Sequence, residues 1–217
     1  MLVEQIINGV VLGSMYALIA QGYTLVFGVL DKLNFAHSEI FMLGGFVAVA
    51  SVALGASIPL ALLVTIGISG LLGLVVEFVG FRKFRSHDAH ITAALSSFAI
   101  GLVIIDLAQK VWGTESVAIA FPDELRIASI EILGIRLVLV KLGILALSLL
   151  LMLVLHLVVV RTNLGRSIRA VAESPGNAAL YGINVTRITQ LVFVISSALA
   201  GVAGMALAVR TGYANTA

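Results

Sequence analysis

Residues 137–160 read LVLVKLGILALSLLLMLVLHLVVV, with Lys141 and His156 the only ionisable side chains among them. A run of this length and greasiness matches the roughly 20 apolar residues needed to cross a bilayer as a helix. The rest of the chain repeats the pattern. Five further runs, at 4–30, 38–56, 59–81, 91–111 and 188–209, have the same character. The expected fold is an all-α, polytopic transmembrane bundle of about six spans.

Composition agrees. Of the 217 residues 60% are hydrophobic and 11% are charged, with a mean hydropathy of +1.15. A water-soluble domain carries about a quarter charged residues, so lipid must cover much of this surface. The net charge of +2 says little about nucleic acid, because the basic residues cluster in loops and form no solvated face, and no nucleic-acid partner is expected. No cysteine is present, excluding disulfides, thiolate metal sites and cysteine nucleophiles. The N-terminus has Glu4 as its first charge and no basic stretch ahead of the apolar run. It reads as a retained span, not a signal peptide.

The breaks between runs are chemically distinct. Asp31-Lys32 ends the first, and Gly55-Ala-Ser-Ile-Pro59 is a tight turn after the second. Arg82-Lys83-Phe84-Arg85 through His90 forms a charged loop. Residues 112–136 form a polar loop carrying Glu115, Asp123, Glu124, Arg126 and Glu131. Arg161 to Arg187 form the last. If each run crosses once, Lys32, Arg82, Lys83, Arg85, Arg161, Arg166, Arg169 and Arg187 share one side, eight of the thirteen Lys and Arg. That side is expected to be cytoplasmic, with the N-terminus outside. A first segment that re-enters instead of crossing is the main alternative. Around Leu133-Gly134 the residues 126–135 alternate partly between apolar and polar, which is compatible with a hairpin or with an irregular loop.

Small residues recur within the runs. Gly9 with Gly13, Ser197 with Gly201 and Ala200 with Gly204 are spaced four apart, which lets helix backbones approach closely in lipid.

The stretch Ala172-Glu-Ser-Pro-Gly-Asn-Ala-Ala-Leu-Tyr-Gly-Ile-Asn184 is different in kind. Ser174 is a good N-cap, Pro175 suits the first helical position, and Gly182 is a natural stop. A helical piece over about 165–173 precedes it. Two turns between these signals are too short to persist alone in water, so the helix must rest on its own spans or on another protein. Ala178 and Ala179 give it a small face suited to close docking.

Ionisable groups in the spans need reasons. Glu39 opens the second run, with Asn34 and His37 just before it. Their spacing is too tight for a helical metal pair, so capping or gating is expected and a metal site is not. Glu77 is expected to face the headgroups or to pair with Arg82 or Lys83. Asp106 and Lys110 are four apart and can pair on one helix face. His156 is expected to reach toward the interface. Asn8, Ser14, Tyr16, Gln21 and Thr24 in the first run, with Ser96 and Ser97 in the fourth, are small polar candidates for a solute path, together with Asn34, His37 and Glu39.

Three stretches resemble the permeases of ATP-binding-cassette importers, specifically the branched-chain amino acid permease family. They are Asn8-Gly-Val-Val-Leu-Gly-Ser-Met-Tyr-Ala-Leu-Ile-Ala-Gln-Gly-Tyr-Thr24, then Leu33-Asn-Phe-Ala-His-Ser-Glu39 with Ser38 where the family usually has glycine, and Gly165 through Asn184. The resemblance runs from the first helix to about Gly204. It implies one permease domain over residues 1–217, with a cytoplasmic coupling loop at 162–187. Glu173, Ser174, Pro175, Gly176, Ala178, Ala179 and Gly182 would meet a cytoplasmic ATPase. It implies a second related permease, two ATP-binding subunits holding ATP and Mg, and an extracytoplasmic solute-binding protein, in a bacterial inner membrane. Family members are longer, so C-terminal spans are expected to be lacking here. The expected function is import of branched-chain or related amino acids. A permease for urea or short amides, and a passive channel, are the alternatives. No HExxH, GxSxG or GxxxxGK[ST] motif occurs, so no catalytic residue or cofactor of its own is expected.

Overall fold

Within lipid a backbone must satisfy its own N–H and C=O groups, and apolar runs therefore close into helices. The computed structural model describes residues 2–84, 89–118, 129–132 and 135–216, with side chains of 130–137 outside the description. Among these residues it forms α1 (Leu2–Leu30), α2 (His37–Ala53), α3 (Ile58–Val76), α4 (His90–Trp112), α5 (Leu139–Arg161), α6 (Asn163–Glu173), α7 (Pro175–Leu180) and α8 (Val185–Thr211). A π-helical turn, Glu77–Phe81, continues α3. Five of these helices are long and apolar enough to cross a membrane, while α2 is apolar but shorter. The chain is thus an all-α polytopic membrane bundle.

The central helix is α8, which packs on α1, α2, α3 and α5. Small residues allow this. A Cβ on Gly44 of α2 would strike the backbone of Gly201, and one on Gly204 would strike the Phe41 carbonyl. Gly73 of α3 meets Ser197 and Phe193 in the same way. Of the sequence pairs, Ser197/Gly201 and Ala200/Gly204 therefore lie in the core. Gly9 and Gly13 have nothing within 4 Å and face outward.

The two ends of the bundle are fixed by contacts between loops. At one end the His90 ring bonds the Asp31 carbonyl (Nδ1 to O, 2.6 Å). At the other, Lys141 donates to Asn8 Oδ1 (2.7 Å), and β1 (Val117–Ala118) pairs antiparallel with β4 (Tyr213–Ala214). Each of the six segments therefore traverses the bundle once. The first is one continuous helix from end to end, so the re-entrant alternative fails. The basic loops gather at the Asp31 end, called here the Arg-rich end. Arg85, Asp123, Glu124 and Arg126 lie outside the described residues.

Two expectations about the loops are resolved. Strands β2 (Ser129–Ile132) and β3 (Ile135–Val138) pair antiparallel with Ile132 opposite Ile135, so the hairpin forms rather than an irregular loop. The connecting residues 133–134 lie outside the description. Asp106 and Lys110 pair at 2.7 Å on an exposed face of α4.

Two other expectations are corrected. The second span is not a full-length helix over 38–56. The α2 helix occupies 37–53, and residues 31–36 complete the crossing without helical structure. Glu77 does not face the headgroups: it is fully buried at the head of the π turn. Arg82 lies over the Phe78 ring at 5.1 Å.

Candidate functional site: a broken second span and a capped helix

Helix α1 ends because Asp31 takes a left-handed conformation (φ 52°), which Asp tolerates better than most side chains. The chain then runs back into the bundle. The Phe35 N–H donates to Ser97 Oγ on α4 (3.0 Å), and the Ser97 hydroxyl donates to the Ala94 carbonyl (2.8 Å). Ser97 lies about 10 Å along α4 from its start, taking about 1.5 Å per residue. The break in α2 is therefore well inside the membrane-spanning region. Non-helical backbone is tolerated at such depth only where protein or a cavity surrounds it. Here Lys32, Asn34 and Ala36 are buried, and Leu33 and Phe35 point outward.

His37 starts the helix and joins three segments. Its Nε2 lies 3.2 Å from the Ile19 carbonyl of α1, so Nε2 carries the proton and donates. Its Nδ1 lies 3.4 Å from Ser196 Oγ of α8, whose proton goes to the Gly22 carbonyl at 2.7 Å. With Nε2 bonded to α1 and Nδ1 packed beside Ser196 of α8, His37 is a structural hub. Gly22 is required there, because a Cβ would sit 2.9 Å from the Ser196 carbonyl oxygen and 3.2 Å from the His37 ring.

The other polar candidates separate by environment. Ser14 is buried and donates to the Val11 carbonyl within its own helix. Asn8 accepts from Lys141. Tyr16 is exposed on the outer surface of α1. Asn34 is buried with neither side-chain polar atom partnered among the described residues. Gln21 and Thr24 line a cavity of about 530 Å³ between α1, α5 and α6 with His156 and Arg169. Ser38 and Glu39 line another of about 470 Å³ between α2, α4 and α8. Ser96 is half-buried, beside the buried Ser97. The structure thus gathers His37 with the α1 carbonyls, and Ser97 with the break. Asn8 and Tyr16 lie apart from both.

At the Arg-rich end, residues 162–187 form a chain of caps. Thr162 Oγ1 accepts from Gly165 N–H (3.1 Å), and Gly165 has no Cβ to collide with the Val158 and Val159 carbonyls. That sharp corner turns α5 into α6, whose Gly165, Ile168 and Val171 face inward. Ser174 Oγ accepts from Asn177 N–H (3.3 Å) and Pro175 opens α7. Gly182 (φ 79°) closes it. Gly182 N–H bonds the Ala179 carbonyl (3.0 Å) and Ile183 N–H the Ala178 carbonyl (3.1 Å), the Schellman pattern. Asn184 Oδ1 then accepts from Arg187 N–H (3.0 Å) and starts α8. Four caps leave this segment little freedom relative to α8.

The orientation of α7 differs from the small-face reading. Ala178 is 2% exposed and packs into the chain's own core with Val171 and Ile188. The outward surface holds Ala179 with Leu180 and Tyr181, the last two each 86% exposed. Glu173, Pro175, Gly176 and Gly182 are also exposed, and Ser174 is half-buried. Sequence reasoning passed over Leu180 and Tyr181. Their signal was present, since large apolar residues beside a capped two-turn helix either enter the core or face a partner.

Comparison with known proteins agrees with this architecture. A family described as "Branched-chain amino acid transport system / permease component" matches residues 5–217. The chain is 32% identical to the high-affinity branched-chain amino acid transport system permease protein BraD of Pseudomonas aeruginosa, over 98% of this chain and 72% of that protein. It is 33% identical to the corresponding permease protein LivH of Salmonella typhimurium, over the same shares. A probable LivH of Methanocaldococcus jannaschii is 25% identical over 93% of this chain and 65% of that protein. No solved structure matches. The chain therefore belongs to the permease-component family of branched-chain amino acid transport systems.

Proposed function

We propose that this chain is a permease subunit of an ATP-driven importer that carries branched-chain or related amino acids into a bacterial cell across the inner membrane. The observation that carries this reading is α7. A two-turn helix capped at both ends presents Leu180 and Tyr181 outward at the end of the bundle where basic residues gather. By the bias of basic residues that end is cytoplasmic. A cytoplasmic ATP-binding subunit would cover the apolar tip. Its movement on binding ATP and Mg would pass through Ile183 and Asn184 into α8, which touches four other spans. The chain itself carries no chemical step. A second related permease, a second ATP-binding subunit and an extracytoplasmic solute-binding protein complete the assembly in this reading.

A cysteine at Ala179 tests it, since the chain has no native cysteine. In the co-expressed complex it should cross-link to cysteines along a groove of the ATP-binding subunit, at a yield that changes with nucleotide. Labelling of that cysteine only from outside the cell, with no cross-link, would invert the topology and remove ATP coupling at α7. Uptake of urea or short amides in place of amino acids by the reconstituted complex would support the other permease reading.

A further inference from the structure

The carboxylate of Glu39 has no function in the packing described above. It lies in the first turn of α2, fourteen residues before Ala53 and so about 21 Å from the outer end of that helix. Ser38 Oγ donates to it at 3.0 Å. Among the described residues no Lys, Arg or His pairs with it. A carboxylate at this depth is unfavourable unless something compensates it.

The surroundings indicate the compensating group. Glu39 lines a cavity of about 470 Å³ that runs between α2, α4 and α8 to β4 at the outer end. That volume falls in the range of about 300–1,000 Å³ usual for small-molecule sites. Met42, Ile105 and Leu207 give it an aliphatic wall, and Asn215 and Thr211 supply polar groups toward the mouth. Of the lining residues Glu39 carries the one carboxyl group, and no Lys, Arg or His lines the cavity with it. Room for it is built in. A Cβ on Gly101 of α4 would sit 3.2 Å from Glu39 Cγ, and glycine leaves that space to the glutamate stem.

We propose that this cavity is a transit site for an α-amino acid, with Glu39 as the counter-charge for the ammonium group. The aliphatic wall takes the side chain, and the Asn215 amide meets the carboxylate. This assignment rests on the permease reading above and adds the residue that separates amino acids from uncharged amides.

The test uses the complete transporter in proteoliposomes, with Glu39→Cys as its only cysteine in this subunit and leucine as the probe. Leucine uptake by Glu39→Cys should fall at least tenfold. Modification with a sulfonate-bearing methanethiosulfonate should restore most of it, an ammonium-bearing reagent should not, and leucine should slow the labelling. Wild-type uptake by Glu39→Cys, equal effects of the two reagents, or labelling indifferent to leucine would each overturn the assignment. Loss of assembly in both Glu39→Cys and Glu39→Asp would do the same, by making the carboxylate structural. Absence of ATP-dependent leucine uptake by the unmodified transporter would instead overturn the importer reading itself.

Discussion

The Ser196 hydroxyl on α8 donates to the Gly22 carbonyl on α1 at 2.7 Å, in the interior of a bundle held mostly by small residues. An α-helical carbonyl already accepts from its own helix, so this bond uses the second lone pair. It also brings the hydroxyl within 3.4 Å of His37, tying the start of α2 to the two longest helices. Ser196→Ala removes this bond between α8 and α1 and should lower stability by about 0.5–1.5 kcal/mol. Gly22→Ala should be worse, because its Cβ meets backbone at 2.9 Å. Gly28→Ala on the same helix meets nothing within 4 Å and should be neutral. Thermal unfolding of the three variants in detergent gives the ranking, and equal melting temperatures would contradict the packing.

On α7 the two alanines should respond in opposite ways. Ala178 is buried in the core cluster, so Ala178→Trp overpacks it and should displace the helix, destabilising the protein by about 1–3 kcal/mol. Ala179 and the exposed Leu180 and Tyr181 have no such constraint. Leu180→Asp and Tyr181→Asp should leave melting and membrane insertion unchanged while reducing uptake at least tenfold. Uptake at the wild-type rate in the Leu180→Asp, Tyr181→Asp double variant would remove α7 from coupling.

The difference between what the residues announced and what they hid has a physical basis. Length and hydropathy disclose spans, and Ser174, Pro175 and Gly182 disclose a short capped helix, because both signals are local. The break before His37 is not local. Residues 31–36 form neither helix nor sheet, and they are stabilised by Ser97, sixty-two positions away from Phe35. The inward face of Ala178 is hidden for the same reason, since α6 and α8 decide it. Glu77 looked like a headgroup residue from its nearness to Arg82, but the π turn rotates it into the core.

Glycines separate likewise by location rather than by motif. The Gly9/Gly13 pair has the familiar spacing but faces outward with nothing near it, whereas Gly44 and Gly204 touch backbone across α2 and α8. Gly44→Ala and Gly204→Ala should therefore abolish or sharply reduce the folded yield. Gly9→Ala and Gly13→Ala should leave the monomer's stability within about 1 kcal/mol of wild type, with a small gain from helix propensity. Size-exclusion recovery after detergent extraction distinguishes the two pairs.

Ser97 offers the most direct check on the broken span. Its hydroxyl is the acceptor for the Phe35 N–H, and no neighbouring helix turn can replace it because residues 31–36 are not helical. Ser97→Ala should leave that N–H unsatisfied in a part-buried, water-poor setting, at about 1–3 kcal/mol. Ser96 is half-buried and has no side-chain bond among the described residues, so Ser96→Ala should change stability by less than about 0.5 kcal/mol. The consequence of Ser97→Ala should also be local. Backbone amide exchange should rise at Phe35 and Ala36 before it rises in α8, because the segment can loosen without unpacking the central helix. Uniform acceleration across the bundle would mean that the break has no independent anchor, and that α2 is held in place by α8 alone.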